Sequence, residues 1–146
     1  MNTEDVVAVP FCVTQIACGD GIPFFDGIEY MKIPCKRLRG IKEPLLVEVT
    51  GDSMEPFFFH REIVLVDLDR LPSHGDFVLI SFNGCLMIKR LHFKDGRMCL
   101  ISTNFLYPTI FIKDCDDWQV LGVCVKKVRS LSELSLNTYK DIKLNK

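Results

Sequence analysis

A mostly-β domain is what this 146-residue sequence predicts, on three observations. Helical periodicity is scarce. Short runs rich in Val, Ile, Leu and Phe alternate with turn residues. Asn83-Gly84 and Asp95-Gly96 each separate two such runs, and both residues of each pair tolerate the positive φ that a tight hairpin demands. A chain of this length can bury one sizeable core. Its hydrophobic content, 48% with 11 Phe, is too high for disorder, yet no uninterrupted apolar stretch is long enough to span a bilayer.

In chain order, residues 1–24 are expected as an extended N-terminal arm, 25–130 as the domain proper and 131–146 as a polar tail, a short helix or frayed. Residues 45–49 predict a strand running into a Gly51-Asp52-Ser53 turn, and residues 62–67 a second strand. Phe77–Phe82 and residues 85–91 flank Asn83-Gly84 as a hairpin. Asp95-Gly96 then joins residues 92–94 to Arg97–Ile101, continuing a meander, and Trp118–Val128 supplies a last long strand. No internal repeat or low-complexity segment interrupts this pattern.

Charge and cysteine usage exclude several classes. With 18 basic and 19 acidic residues the formal charge is −1, and no basic face stands out, so the domain is not expected to bind nucleic acid by itself. The seven cysteines, Cys12, Cys18, Cys35, Cys85, Cys99, Cys115 and Cys124, are odd in number and show no Cys-x-x-Cys spacing. Several lie in apolar runs, where a free thiol behaves as a small hydrophobe. A reducing, cytoplasmic location with neither metal site nor cofactor is the expectation. Residues 6–18 do not form a lipoprotein signal, because they lack a basic leader, follow Glu4 and Asp5, and are broken by Pro10 and Gln15.

The chemistry concentrates in two places 36 residues apart: Ser53, in Thr50-Gly51-Asp52-Ser53-Met54-Glu55-Pro56, and Lys89, in Met87-Ile88-Lys89-Arg90-Leu91. Separately each is ordinary. Gly, Asp and Ser all suit turns, and a lone strand lysine is usually a solvated edge position. Together they match a serine nucleophile with a lysine base, a pairing that needs no histidine. Lysine in water stays protonated to about pH 10.4, and an apolar setting lowers that value by disfavouring the charge. Alternation puts Lys89 on the strand face of Cys85, Met87 and Leu91, and Arg90 with Leu86 and Ile88. One of the two cations must face inward. Lys89 is the one that could act there, because a guanidinium does not deprotonate in proteins. A Ser-His-Asp reading through His60, His74 or His92 fails on two counts: the second glycine of Gly-x-Ser-x-Gly is missing, and so is strand–helix alternation.

On these residues the chain resembles the C-terminal self-cleaving domain of the LexA and phage-repressor family, which includes the UmuD-type mutagenesis proteins. The likeness runs from about Val9 to Arg129. It rests on residues 47–56, 62–67 and 74–78, on Ile88-Lys89-Arg90-Leu91, and on Val120-Leu121-Gly122-Val123-Cys124. It implies a β-ribbon fold shared with signal peptidase and an N-terminal cleavage-site arm. It also implies Ser53 as nucleophile, Lys89 as general base, and the backbone N–H groups of Asp52 and Ser53 as oxyanion donors. The family cuts itself at an Ala-Gly or Cys-Gly bond upstream of the serine, which here implies Cys18-Gly19 within Ala17-Cys18-Gly19. Without the Ser-Lys pair, that triplet would read as an ordinary turn. One departure is a turn at residues 58–62, Phe-Phe-His-Arg-Glu, where relatives carry Asp-Gly-Asp.

The resemblance implies a serine peptidase acting on itself in a transcriptional repressor, with cleavage inactivating the repressor in a DNA-damage (SOS) response. The implied partners are a second copy of the chain and a RecA–single-stranded DNA filament. DNA would be bound only through an N-terminal helix-turn-helix domain, for which the eighteen residues before Gly19 are too few. A repressor fragment is therefore expected, with a UmuD-like protein as the alternative. Signal peptidase shares the Ser-Met motif but carries a membrane helix. A dimerisation module with a vestigial dyad is the reading from another class. The homodimer is expected through residues 118–125, on the argument that an apolar last strand at a sheet edge leaves backbone groups unpaired.

Overall fold

The computed structural model of the chain describes residues 5–14 and 29–128. The strands are β1 (Val6–Val13), β2 (Glu29–Pro34), β3 (Pro44–Glu48), β4 (Ile63–Asp67), β5 (Phe77–Phe82), β6 (Cys85–Lys94), β7 (Arg97–Ile101), β8 (Ile110–Phe111) and β9 (Trp118–Val128), with a 3₁₀ turn at Cys35–Leu38. They form one sheet in the order β2-β1-β3-β4-β9-β5-β6-β7-β8. Every pairing is antiparallel except β1 with β3. The mostly-β fold with its ribbon of hairpins is thus the one expected. The segment expected as an arm contributes β1 to the sheet, whereas residues 15–24 and the tail at 131–146 lie outside the described residues.

Both hairpin turns have the backbone their sequences demand. Asn83 and Gly84 take φ of 48° and 83°, and Asp95 and Gly96 take 53° and 74°, the doubly positive pattern of a type I′ turn. Residues 85–91 and 92–94, read as separate pieces, form the single ten-residue strand β6. In the turn that departs from the family pattern, Arg61 itself takes φ of 75°, a conformation that glycine adopts without strain.

The sheet buries both faces. Leu45, Val47, Val64, Val66, Leu79, Leu86 and Ile88 pack with Met54 and Phe58 in one cluster. Their strand neighbours point the other way: Leu46, Ile63 and Leu65 join Val9 and Ile33, while Val78, Ile80 and Leu91 join Leu100 and Val123. Alternation therefore holds even where burial does not alternate, as in β4, buried along its whole length. The thiols of Cys12 and Cys124 pack against the first cluster, and burial pushes that of Cys12 up to about 11, so it serves as a hydrophobe.

The sequence argument for a β9 edge does not survive. β9 lies between β4 and β5 and is hydrogen-bonded to both, and the outer strands of the sheet are β2 and β8. Its long apolar run reflects a central strand. At Gly122 it approaches its neighbour so closely that a Cβ would lie 2.7 Å from both the Asp67 carbonyl oxygen and Val66 Cγ1. Among the described residues no helix is long and apolar enough to cross a membrane, and no three His, Cys, Asp or Glu side chains cluster as metal ligands.

Candidate active site

The Ser53 turn follows β3 and is pinned from both sides. Val49 N–H donates to the Glu62 carbonyl at 2.8 Å, and Arg61 N–H donates to the Val49 carbonyl at 2.7 Å. Gly51, at φ 85°, makes the reversal, and its N–H donates to His60 Nδ1 at 3.0 Å. Met54 follows directly and is 2% exposed in the first core cluster, so the turn is anchored by a buried side chain next to an outward serine. A free surface turn of the same Gly-Asp-Ser composition would lack that anchor.

Lys89 arrives from β6, held between β5 and β7. Its side chain is 6% exposed, and burial lowers its pKa from the ordinary 10.5 to about 8. Its Nζ lies 3.0 Å from Ser53 Oγ and 2.7 Å from Ser102 Oγ. Arg90 points to the opposite face, where its Nε donates to the Gly75 carbonyl at 3.1 Å and its guanidinium lies over the Phe77 ring. The inward cation is thus the one that can lose its proton. At pH 7 roughly a tenth of such a group is neutral, against fewer than one in a thousand for a solvated lysine.

Ser53 and Lys89 line a cavity of about 150 Å³ together with Thr14, Gly51, Asp52, Met87 and Tyr107. No histidine is among its lining residues; His60 sits behind Gly51, and His74 packs against His92 with the rings tilted by 46°, its Nδ1 accepting from Phe93 N–H. Asp52 and Ser53, the expected oxyanion donors, form part of the wall. Cys18 and Gly19 lie outside the described residues.

Four contributors, Thr14, Tyr107, Asn104 and Ser102, were not foreseen from the sequence. Thr14, just past the end of β1, donates its N–H to the Glu48 carbonyl at 2.9 Å, and its Oγ1 accepts from Thr50 N–H at 2.8 Å. The chain that leads toward residue 18 is therefore fixed at the cavity wall four residues earlier. Tyr107 Oη donates to Asp52 Oδ1, while Asn104 N–H donates to the Ser53 carbonyl at 3.0 Å and Asn104 Nδ2 to that of Asp52 at 3.1 Å. Ser102 was legible in principle. A two-residue Asp95-Gly96 turn pairs Lys94 with Arg97 and Arg90 with Ile101, so the next antiparallel pair is Lys89 with Ser102.

A hydroxyl at hydrogen-bond distance from a buried amine can be deprotonated by it and attack a carbonyl. Comparison with known proteins points the same way. Residues 10–125 match the Peptidase S24-like family. The chain is 32% identical over 85 residues to "Protein SamA" of Salmonella typhimurium, which covers 58% of this chain and 60% of that one. It is 27% identical over 115 residues to "LexA repressor" of Geobacillus thermodenitrificans, covering 77% and 55%, and 27% identical over 122 residues to "Protein MucA" of Salmonella typhimurium, covering 81% and 82%. The chain thus spans little more than half the length of the first two.

Proposed function

The chain belongs to the Peptidase S24-like family, and from that premise we propose that it is a self-cleaving regulatory domain of a LexA-like repressor, cutting its own Cys18-Gly19 bond with Ser53 and Lys89. The observation that carries this reading is the buried amine of Lys89 at 3.0 Å from Ser53 Oγ. Neutral Lys89 takes the Ser53 proton as Oγ attacks the Cys18 carbonyl carbon. Backbone N–H groups of Asp52 and Ser53 face the developing oxyanion. Collapse breaks the C–N bond, and the Lys89 ammonium hands its proton to the Gly19 amine. Water, deprotonated by the same amine, then releases the ester.

The position of Thr14 supports an intramolecular cut. From Thr14 to Cys18 an extended chain reaches at most roughly 14 Å, enough to enter a cavity whose wall Thr14 already forms. The cavity's small volume suits Ala17, Cys18 and Gly19 better than bulky side chains. A homodimer, a cytoplasmic location and stimulation by a RecA–single-stranded DNA filament in an SOS response belong to this reading, and the support for them is the family likeness. A second reading, a UmuD-like mutagenesis protein, is supported by the match to MucA over 82% of that protein.

Intact-mass spectrometry after incubation at pH 7 and pH 10 tests the chemistry. Wild type should lose an 18-residue peptide, leaving 128 of the 146 residues, and should do so about tenfold faster on the alkaline side of the Lys89 pKa. Ser53→Ala and Lys89→Ala should each slow the cut by at least about a hundredfold, and Lys89→Arg should not rescue it. An active Lys89→Arg with an unchanged pH profile would assign the base elsewhere.

A further inference from the structure

We propose that Ser102 is a positioning residue for this reaction, its hydroxyl orienting the Lys89 amine so that the nitrogen lone pair faces Ser53 Oγ. The inference rests on the Ser53–Lys89 reading above and adds a third residue to it. A neutral amine has two N–H groups and one lone pair, and only the lone pair can receive the Ser53 proton. Burial removes the water that would otherwise satisfy the N–H groups, so an unheld amine has no reason to keep its lone pair on Ser53. Ser102 Oγ, itself 7% exposed, accepts from Nζ at 2.7 Å, closer than the 3.0 Å to Ser53.

The alternatives nearby are poor acceptors or already engaged. Met87, on the same face of β6, presents only a thioether, a weak acceptor. Tyr107 gives its hydroxyl to Asp52, and its ring centroid is 5.9 Å from Nζ. The other ionisable group lining the cavity beside Lys89 and Tyr107 is Asp52 on the serine turn, and among the described residues no ion pair involves Lys89. Position is fixed twice over. The β6–β7 register sets Ser102 opposite Lys89. The segment it begins then ties down the nucleophile turn, through Thr103 Oγ1 to the Glu55 carbonyl at 3.2 Å and through Asn104 to Ser53. The hydroxyl and the nucleophile therefore keep their spacing as one unit.

The isosteric pair Ser102→Val and Ser102→Thr separates hydroxyl from volume. Self-cleavage above pH 9, where Lys89 is already neutral, should fall roughly tenfold to a hundredfold in Ser102→Val and return to near wild type in Ser102→Thr. Equal loss in both variants, or wild-type cleavage in Ser102→Val, would overturn the proposal. If the wild-type chain does not cut itself, the function reading fails first, and a second measurement still judges Ser102. In a Ser53→Ala background, nitrogen NMR of the Lys89 amine should titrate at lower pH once Ser102→Val removes an acceptor that favours the ammonium. An unmoved titration would show that the hydroxyl does not hold the amine.

Discussion

At the residue scale the decisive quantity is the proton on Lys89, and it has a consequence apart from the proposed cleavage. The folded chain releases that proton near pH 8, while the unfolded chain keeps it to about 10.5. Between those values the unfolded state binds more protons, so stability contributed at this site rises with pH across the window, and below pH 8 the whole cost of a buried ammonium is present. In a Ser53→Ala background, Lys89→Met should be more stable than its parent at pH 7, with the difference shrinking toward pH 10.5. Urea denaturation at the two pH values measures it, and a difference that is constant with pH would contradict the burial argument. That the inward cation would be Lys89 followed from alternation in β6 and from arginine's inability to deprotonate. That Ser102 would share it needed one more count along the same hairpin. Tyr107 and Thr14 gave no local signal, because each reaches the site through a contact distant in sequence.

At the element scale, the strands with local punctuation were readable and those held by distant pairing were not. β5, β7 and β9 lie where their apolar runs and turn residues put them. β1 lies in the segment read as an extended arm; its Pro10 pairs with Tyr30 of β2, and the parallel pairing with β3 begins only at Phe11. On its other side the missing N–H has no ladder to interrupt. β9 was misplaced at an edge because an apolar strand reads the same whether it has one neighbour or two. Two substitutions probe its surroundings. Gly122→Ala should cost roughly 1 to 3 kcal/mol, since the added methyl meets backbone of β4 at 2.7 Å. Asp67, 4% exposed at the end of β4, accepts from the backbone N–H groups of Lys42, Glu43 and Asp69. Burial alone would raise its pKa; those three donors and the Arg70 charge outweigh it and hold the carboxyl below its ordinary value. The stability it supplies is present above the unfolded carboxyl pKa and lost as pH falls through the lower folded one. Asp67→Ala should destabilise by roughly 2 to 3 kcal/mol at neutral pH and flatten that acid dependence. Thermal melts across pH check both variants.

At the scale of the whole molecule, the sheet brings three distant stretches to one cavity: the end of β1, the turn after β3, and the β6–β7 hairpin with the segment beyond it. Ser53 Oγ and Lys89 Nζ, the proposed nucleophile and base, are thereby set 3.0 Å apart at a small cavity, with Thr14 of the chain leading to Cys18 at its wall. On the proposed reading, so short a tether would make the Cys18-Gly19 bond an intramolecular substrate, whose effective concentration owes nothing to how much protein is in solution. The most direct measurement is the first-order rate constant for loss of intact chain at pH 9, followed by mass spectrometry over a hundredfold range of protein concentration. The account predicts one rate constant throughout and a single new pair of ends at Cys18 and Gly19. A rate constant that rises with concentration, or a cut at another bond, would contradict it.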